Sequence, residues 1–268
     1  MESKESKESK ESKQSIKDIK DYLNTVDIKN IPVEIKKFQA DERKGVQNVV
    51  LTFEKKYQNY LNEIERVKKL NSYENAYYEQ GLTYIAGVDE VGRGPLAGPV
   101  VACCVILPPN TFIEGINDSK KISEPKREII FEQIKNIAID YGIGVVDSKI
   151  IDEINILQAT YQAMRIAISN MKTIPDILLN DAVSIPEVNI VQHPIIHGDA
   201  LSISIAAASI LAKVTRDRMM IEYGKKYSHY DFASNKGYGT QNHLDGLKNH
   251  GLTEIHRKSF LKNMDLGL

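Results

Sequence analysis

Residues 86–101 read Ala-Gly-Val-Asp-Glu-Val-Gly-Arg-Gly-Pro-Leu-Ala-Gly-Pro-Val-Val, and this stretch decides the fold. Tyr84–Val91 and Val100–Leu107 are short runs rich in β-branched and aromatic residues, and the glycines and prolines between them form a turn, so the pair reads as a hairpin. Two consecutive acids, Asp89 and Glu90, stand in the first strand among apolar neighbours. An unbroken strand aims consecutive side chains at opposite faces. Both acids can serve one site only if the strand bends, which Gly92 and Gly94 would permit, or if the longer Glu90 reaches around. The turn is no dinucleotide fingerprint, because its glycine spacing differs, prolines flank its end and a strand follows it. Its glycines do offer bare backbone that a ligand can approach closely. Beside a sugar, such backbone could hydrogen-bond a 2′-hydroxyl, the group that separates RNA from DNA.

Downstream, strands alternate with helices. Glu124–Ile139 has helical spacing with Pro125 in its first turn, and Gly142–Val146 reads as a third strand. Ile154, Leu157, Tyr161, Met164 and Ile168 step by three and four, which describes a core-facing helix. Ile177–Leu179 is a fourth strand running into Asn180-Asp181, and Ile190–Ile196 a fifth, ending at His197-Gly198-Asp199. Ser202–Tyr223 is a strong helix whose Ala206-Ala207-Ala208-Ser209 lets a neighbouring element come close. The order predicts an α/β layered fold with a mixed five-stranded sheet flanked by helices.

Upstream, a Glu-Ser-Lys triplet repeats four times within the first thirteen residues. That segment lacks the apolar surface to offset its ordering entropy, and residues 1–14 are expected to be a disordered tail. Residues 15–80 are expected to form a small helical extension. Val46, Val49, Val50, Phe53, Tyr57, Tyr60, Leu61, Ile64 and Val67 make one stripe on a long helix, with Asp41 as its N-cap candidate, and Pro32 marks a break after a shorter helix at 15–23. Residues 81–268 are then the larger domain, with a helical C-terminal part.

With 268 residues, 42% of them apolar, the chain can build a core without staples, and two cysteines leave no disulfide framework. Cys103 and Cys104 read as small hydrophobes on opposite faces of a buried strand. No run reaches the roughly 18–20 apolar residues of a membrane span, so a cytosolic protein without a membrane partner is expected. A net charge of -1 leaves a nucleic-acid partner open. The basic residues after Ile210, including Lys213, Arg216, Arg218, Lys236, Lys248 and Arg257, read as ordinary solvated surface unless they flank an acidic site.

Such a site is suggested by three strand ends that each deliver acid: Asp89-Glu90, Asp181 and Asp199. Ligand sites of open α/β sheets gather at such ends. Converging carboxylates repel unless cations compensate them, which points to Mg²⁺ or Mn²⁺. Two such ions about 4 Å apart are the usual device for phosphodiester hydrolysis. Asp199, taken alone, could equally be a helix cap. His193 and His197 have metal-ligand spacing only on a helix, and Pro194 argues for extended chain. His243, His250 and His256 fall in a polar region where phosphate contact or solvation both fit. Ser209 has no assignable base, so nucleophilic serine chemistry has little support.

The run Ala86–Val101, the segment Asn117-Asp118-Ser119-Lys120-Lys121, the stretch Ala206–Asp217 and Lys236-Gly237-Tyr238 together resemble, in order, the motifs of bacterial ribonuclease HII, and the resemblance covers Tyr84 to Phe260. The segment Asp41–Gln47 resembles the extension of some low-GC Gram-positive members. The resemblance implies a ribonuclease H-like fold with Asp89, Glu90, Asp181 and Asp199 as catalytic, metal-binding acids. It also implies cleavage 5′ of ribonucleotides, in RNA/DNA hybrids and in DNA duplexes with embedded ribonucleotides, leaving 3′-hydroxyl and 5′-phosphate ends. Gly92, Arg93 and Gly94 would read the 2′-hydroxyl, Tyr238 would stack on the next deoxyribose, and Lys120, Ser209 and Lys213 would contact phosphates. One departure is Ala182, where the family usually has glycine after the third acid. A monomer is expected. The rivals are ribonuclease HIII, which typically differs at the position of Arg93 and carries a larger β-containing N-terminal domain, and a non-catalytic nucleic-acid-binding module.

Overall fold

In a computed structural model, residues 14–262 are described, so the tail expected over 1–14 lies outside them except for Gln14. The chain divides into two compact units, residues 1–65 and 66–268.

The first unit opens with α1 (Ile16–Thr25). Ser15 and Asp18 form a reciprocal capping box there, each side chain accepting the other's backbone N–H. Short turns follow at Ile28–Asn30, α2 (Ile31–Glu34) and Ile35–Phe38 before the long α3 (Lys44–Leu70). Pro32 occupies the first turn of α2, where its missing N–H costs nothing, so it opens a short helix rather than only breaking one. Asp41 accepts the Arg43 N–H at 3.0 Å and clasps its guanidinium at 2.6 Å, tying down the chain just ahead of α3. Ile19, Leu23, Ile31, Ile35, Val46, Val49, Val50 and Phe53 form the buried cluster of this unit. The stripe expected along the long helix is therefore divided, with Val67 and Leu70 packing in a core of the second unit.

The second unit runs α4 (Ser72–Tyr78), β1 (Ile85–Val91), β2 (Val100–Ile106), α5 (Glu124–Ile137), β3 (Asp140–Val146), α6 (Ser148–Ser169), β4 (Ile177–Asp181), β5 (Val191–Ile195), α7 (Gly198–Leu201), α8 (Ile203–Lys226), α9 (Phe232–Asn235), α10 (Gln241–His250) and α11 (Lys258–Leu261). The strands make one mixed sheet in the order β3-β2-β1-β4-β5. β1–β2 and β2–β3 pair antiparallel, and β1–β4 and β4–β5 pair parallel. β2 is covered on both faces, hence its unbroken apolar sequence. Cys103 packs in one core layer and Cys104 in the other, and burial pushes both thiols up.

Helix α8 lies on one face of the sheet and α6 on the other. α8 comes so close to β1 that a Cβ on Gly87 would stand 2.1 Å from the Ser204 carbonyl carbon. The α6 stripe departs from expectation at Leu157, which is 41% exposed. Asn155 has φ 68 and ψ 165, which breaks the helical phase, and its side chain accepts the N–H groups of Leu157 and Gln158, restarting the helix as an internal cap. The other four residues of the stripe hold their places, Met164 buried with Ile151, Ala159, Ala163 and Ala167, and Ile154, Tyr161 and Ile168 packed against that core. Among the described residues, no helix is long and apolar enough to cross a membrane.

Candidate active site

Because β1, β4 and β5 run parallel, their carboxyl ends open on the same edge of the sheet. The β1–β4 ladder ends at Val88↔Asn180, so the next residue of each strand is an acid, Asp89 and Asp181. β5 ends at Ile195, opposite Asp181. The chain then passes through left-handed His197 (φ 58) into the single turn of α7, which carries Asp199. Asp181 Oδ1 accepts the Gly198 N–H at 2.7 Å, which links the fourth strand to that turn. Ala182, where the resembled family usually has glycine, has φ 55. A Cβ costs roughly 1–2 kcal/mol in that conformation, which is the physical reason glycine suits the place.

Asp89, Glu90, Asp181 and Asp199 line one cleft of about 360 Å³. Lys120, Ser209, Lys213 and Tyr238 line it too, together with Val91, Ser119 and Arg127. No bulge turns Asp89 and Glu90 together, since the ladder to β2 runs unbroken through Asp89↔Cys103, Glu90↔Ala102 and Val91↔Val101. Asp89 shares the α8 face with Gly87. Glu90 starts from the opposite face and reaches the cleft beyond the end of β4, where β1 has lost its parallel neighbour. The bend comes afterwards, at Gly92 with φ 91.

The acids repel one another in a partly dry cleft. Burial, then Glu90 and Asp181, push the Asp89 carboxyl well above the usual range, while the Ser209 hydroxyl and Glu90 N–H oppose this. Burial also raises Glu90, against the pull of Arg93, whose Nη1 stands 3.3 Å from its Oε1. Asp199 is raised by burial, then by Asp181 and Asp118. On the α8 side, Asp217 holds Lys213 at 2.8 Å and Arg127 at 3.3 Å. Ser119 and Ser209 hydroxyls meet at 2.9 Å. Sequence reasoning missed Arg127, although its place in the first turns of α5, after the Asn117–Lys121 segment, was a usable signal.

Gly92, Arg93 and Gly94 are not among the residues that line the cleft; Gly92 is buried, and Arg93 and Gly94 are exposed. A Cβ on Gly94 would meet the Tyr238 ring at 3.7 Å. Several carbonyls of this turn are not available to a ligand, because two arginines occupy them. Arg257 donates to the carbonyls of Gly92, Arg93 and Gly98, and Arg216 to those of Ala97, Pro99 and Lys236. Both were read as solvated surface, yet both are 0% exposed.

Two of the histidines, His243 and His256, are corrected in the same way. His243 and His256 are buried, with their Nε2 atoms 3.0 Å apart. The Thr253 N–H donates to His256 Nδ1, which leaves the His256 proton on Nε2, directed at His243 Nε2. The His243 proton then sits on Nδ1 and donates to the Tyr238 carbonyl at 2.9 Å. Burial lowers both rings, His256 to about 4 with a further push from His243. His250 stacks on His229 with ring centres 3.9 Å apart, and His193 Nδ1 bonds the Tyr77 hydroxyl at 2.7 Å.

Comparison with known proteins gives the family. The family model described as Ribonuclease HII matches residues 86–263, and that described as Ribonuclease HII N-terminal domain matches residues 15–78. A ribonuclease HII of Clostridioides difficile (strain 630) is 52% identical over 242 residues, covering 90% of this chain and 95% of the relative. One from Lachnoclostridium phytofermentans is 55% identical over 228 residues, covering 85% and 89%. The crystal structure of the ribonuclease H2 from Pyrococcus horikoshii OT3 superposes with a TM-score of 0.56 at 27% identity, covering 66% of this chain and 93% of that one. The mixed sheet, the helical N-terminal part and these matches have one consequence: the chain belongs to the ribonuclease HII family and is an endoribonuclease.

Proposed function

We propose that the chain cuts the RNA strand of RNA/DNA hybrids and incises DNA duplexes 5′ of embedded ribonucleotides, leaving 3′-hydroxyl and 5′-phosphate ends, with Mn²⁺ or Mg²⁺ held by Asp89, Glu90, Asp181 and Asp199. The observation that carries this reading is the convergence of four carboxylates from three parallel strand ends on one cleft. The donor set fits divalent cations, since it offers hard oxygens in a cleft where burial first, and neighbouring carboxylates second, raise Asp89, Glu90 and Asp199. Among the described residues, no three acid, histidine or cysteine side chains already stand in metal-holding positions. Asp181 accepts the Gly198 N–H and Glu90 accepts from Arg93, so both side chains exchange these partners when a cation loads. Bound there, the cations supply an activated water and stabilisation of the leaving oxygen.

The chain's own residues do the rest. Lys120, Ser209 and Lys213 line the cleft, with Arg127 beside them, which supports reading them as phosphate contacts. The carbonyls at 92 and 93 are occupied by Arg257, so the reading of the ribose falls to other backbone groups of the turn, the N–H groups of Arg93 and Gly94 among them. Tyr238, 46% exposed at the cleft, offers a face to the following sugar.

A duplex with one embedded ribonucleotide, incubated with Mg²⁺ or Mn²⁺, tests this. Incision 5′ of the ribonucleotide is expected, and none with either metal would refute the reading. Asp89→Asn should lower kcat about 10³-fold or more while duplex Kd changes less than about threefold. Binding without any wild-type cleavage would favour the non-catalytic module.

A further inference from the structure

The turn between β1 and β2 poses a hydrogen-bonding problem that its own residues do not solve. Pro95 and Pro99 have no N–H, and Gly92 and Gly98 take φ of 91 and 88, so the chain folds back with its carbonyls turned inward. Two buried guanidiniums answer it. Arg257 spans Gly98 through Nε at 3.0 Å, Arg93 through Nη1 at 2.9 Å, and Gly92 through Nη2. Arg216 spans Pro99 through Nε at 2.9 Å, Ala97 through Nη2 at 3.1 Å, and Lys236 through Nη1 at 2.9 Å. A Cβ on Gly92 would fall 2.2 Å from Arg216 Nε, so the turn is moulded on that side chain.

We propose that Arg257 and Arg216 are positioning residues for substrate choice: Arg257 sets the backbone at 92–94 against the ribose, and Arg216 sets that turn in register with Tyr238. The inference rests on the reading of residues 92–94 and Tyr238 given above. Neither arginine has a carboxylate partner within ion-pair distance among the described residues, which makes each an expensive way to satisfy carbonyls alone. A planar fork, unlike a flexible chain, fixes the relative position of the oxygens it joins. The oxygens joined belong to the two segments that face the ribose and the sugar beyond it. The Leu96 N–H also donates to Gly237 at 2.9 Å, so the two segments already touch through their backbone, and Arg216 adds the second tie that stops them pivoting.

Lysine at either position keeps the charge and one donor direction but loses the fork. The test compares wild type, Arg257→Lys and Arg216→Lys on a single embedded ribonucleotide and on a continuous RNA tract. It also measures Kd for the ribonucleotide duplex and its all-DNA counterpart in an Asp89→Asn background. Arg257→Lys should lose about ten- to hundredfold in kcat/KM on the single ribonucleotide, and should shrink the Kd preference for ribose with all-DNA binding unchanged. Arg216→Lys should lose more on the single ribonucleotide than inside the tract. Equal losses on both substrates with an unchanged ribose preference would overturn the inference, reducing the arginines to structural supports. Should Arg257→Lys fail to fold, Arg216→Lys decides by the same ratio. A wild-type protein with no ribose preference would instead overturn the reading of residues 92–94, and this inference with it.

Discussion

Replacing Gly87 with alanine tests the packing that places the cleft. The new Cβ would stand 2.1 Å from the Ser204 carbonyl carbon, 2.3 Å from its oxygen and 2.3 Å from the Ile205 nitrogen. These are backbone atoms of α8, so no rotamer change relieves the clash. Ordinary contact begins near 3.4 Å, so α8 and β1 must separate by about 1.3 Å. Overpacking of this kind costs about 1–3 kcal/mol, and the restricted unfolded chain of an alanine returns about 0.4–1 kcal/mol. A net loss of about 1.3 kcal/mol should lower Tm by about 3–5 °C for a unit of this size. Asp89 lies two residues along the same strand face, and Ser209 and Lys213 lie further along α8. Separation therefore also loosens the contact of Asp89 with Ser209, and a misplacement of about 1 Å costs about a hundredfold in kcat. Thermal melting by circular dichroism and single-turnover cleavage below the melting range, on one preparation, measure both effects. A Tm within about 2 °C of wild type together with kcat within about threefold would refute the reasoning.

Two further outcomes follow from the C-terminal part. Tyr238→Ala should lower kcat/KM on a single embedded ribonucleotide about tenfold more than on a long RNA tract, and equal loss on both would remove its part in junction sensing. The buried histidine pair makes stability pH-dependent. His256 falls to about 4 in the folded chain against 6.5 in the unfolded one, so the unfolded chain binds more protons between those values. The pair's stability is complete above pH 6.5 and lost on acidification toward pH 4, by about 2–3 kcal/mol. His256→Gln should flatten Tm against pH over that window, and an unchanged slope would refute the assignment.

Much of the fold was legible because each strand is bounded by glycine, proline or a change of hydrophobic period. The hairpin read at 84–91 and 100–107 is observed at Ile85–Val91 and Val100–Ile106, and the helix read from Ser202 begins at Ile203 with Ser202 as its cap. The α6 stripe was misjudged only at Leu157, because Asn155 interrupts the helix just ahead of it and periodicity cannot register a single φ. Arg216, Arg257, His243 and His256 were misjudged because polarity implies solvent only when no buried partner exists. Their partners are backbone carbonyls and each other, as much as 165 residues away in the chain.

The sequence by itself determined the elements, the mixed sheet and the three apolar runs that end in acids, because those depend on local periodicity and turn chemistry. It also carried the family in its ordered motifs. It could not determine how Asp89 and Glu90 come to one cleft. That was decided by the ending of the β1–β4 ladder at Val88↔Asn180, which frees the edge of β1 for Glu90 while the ladder to β2 continues unbroken. Nor could it determine what holds the glycine turn, since a guanidinium finds its carbonyls only after the chain has folded around both. Strand pairing and long-range hydrogen bonding are properties of two segments at once, and only tertiary structure brings the segments together.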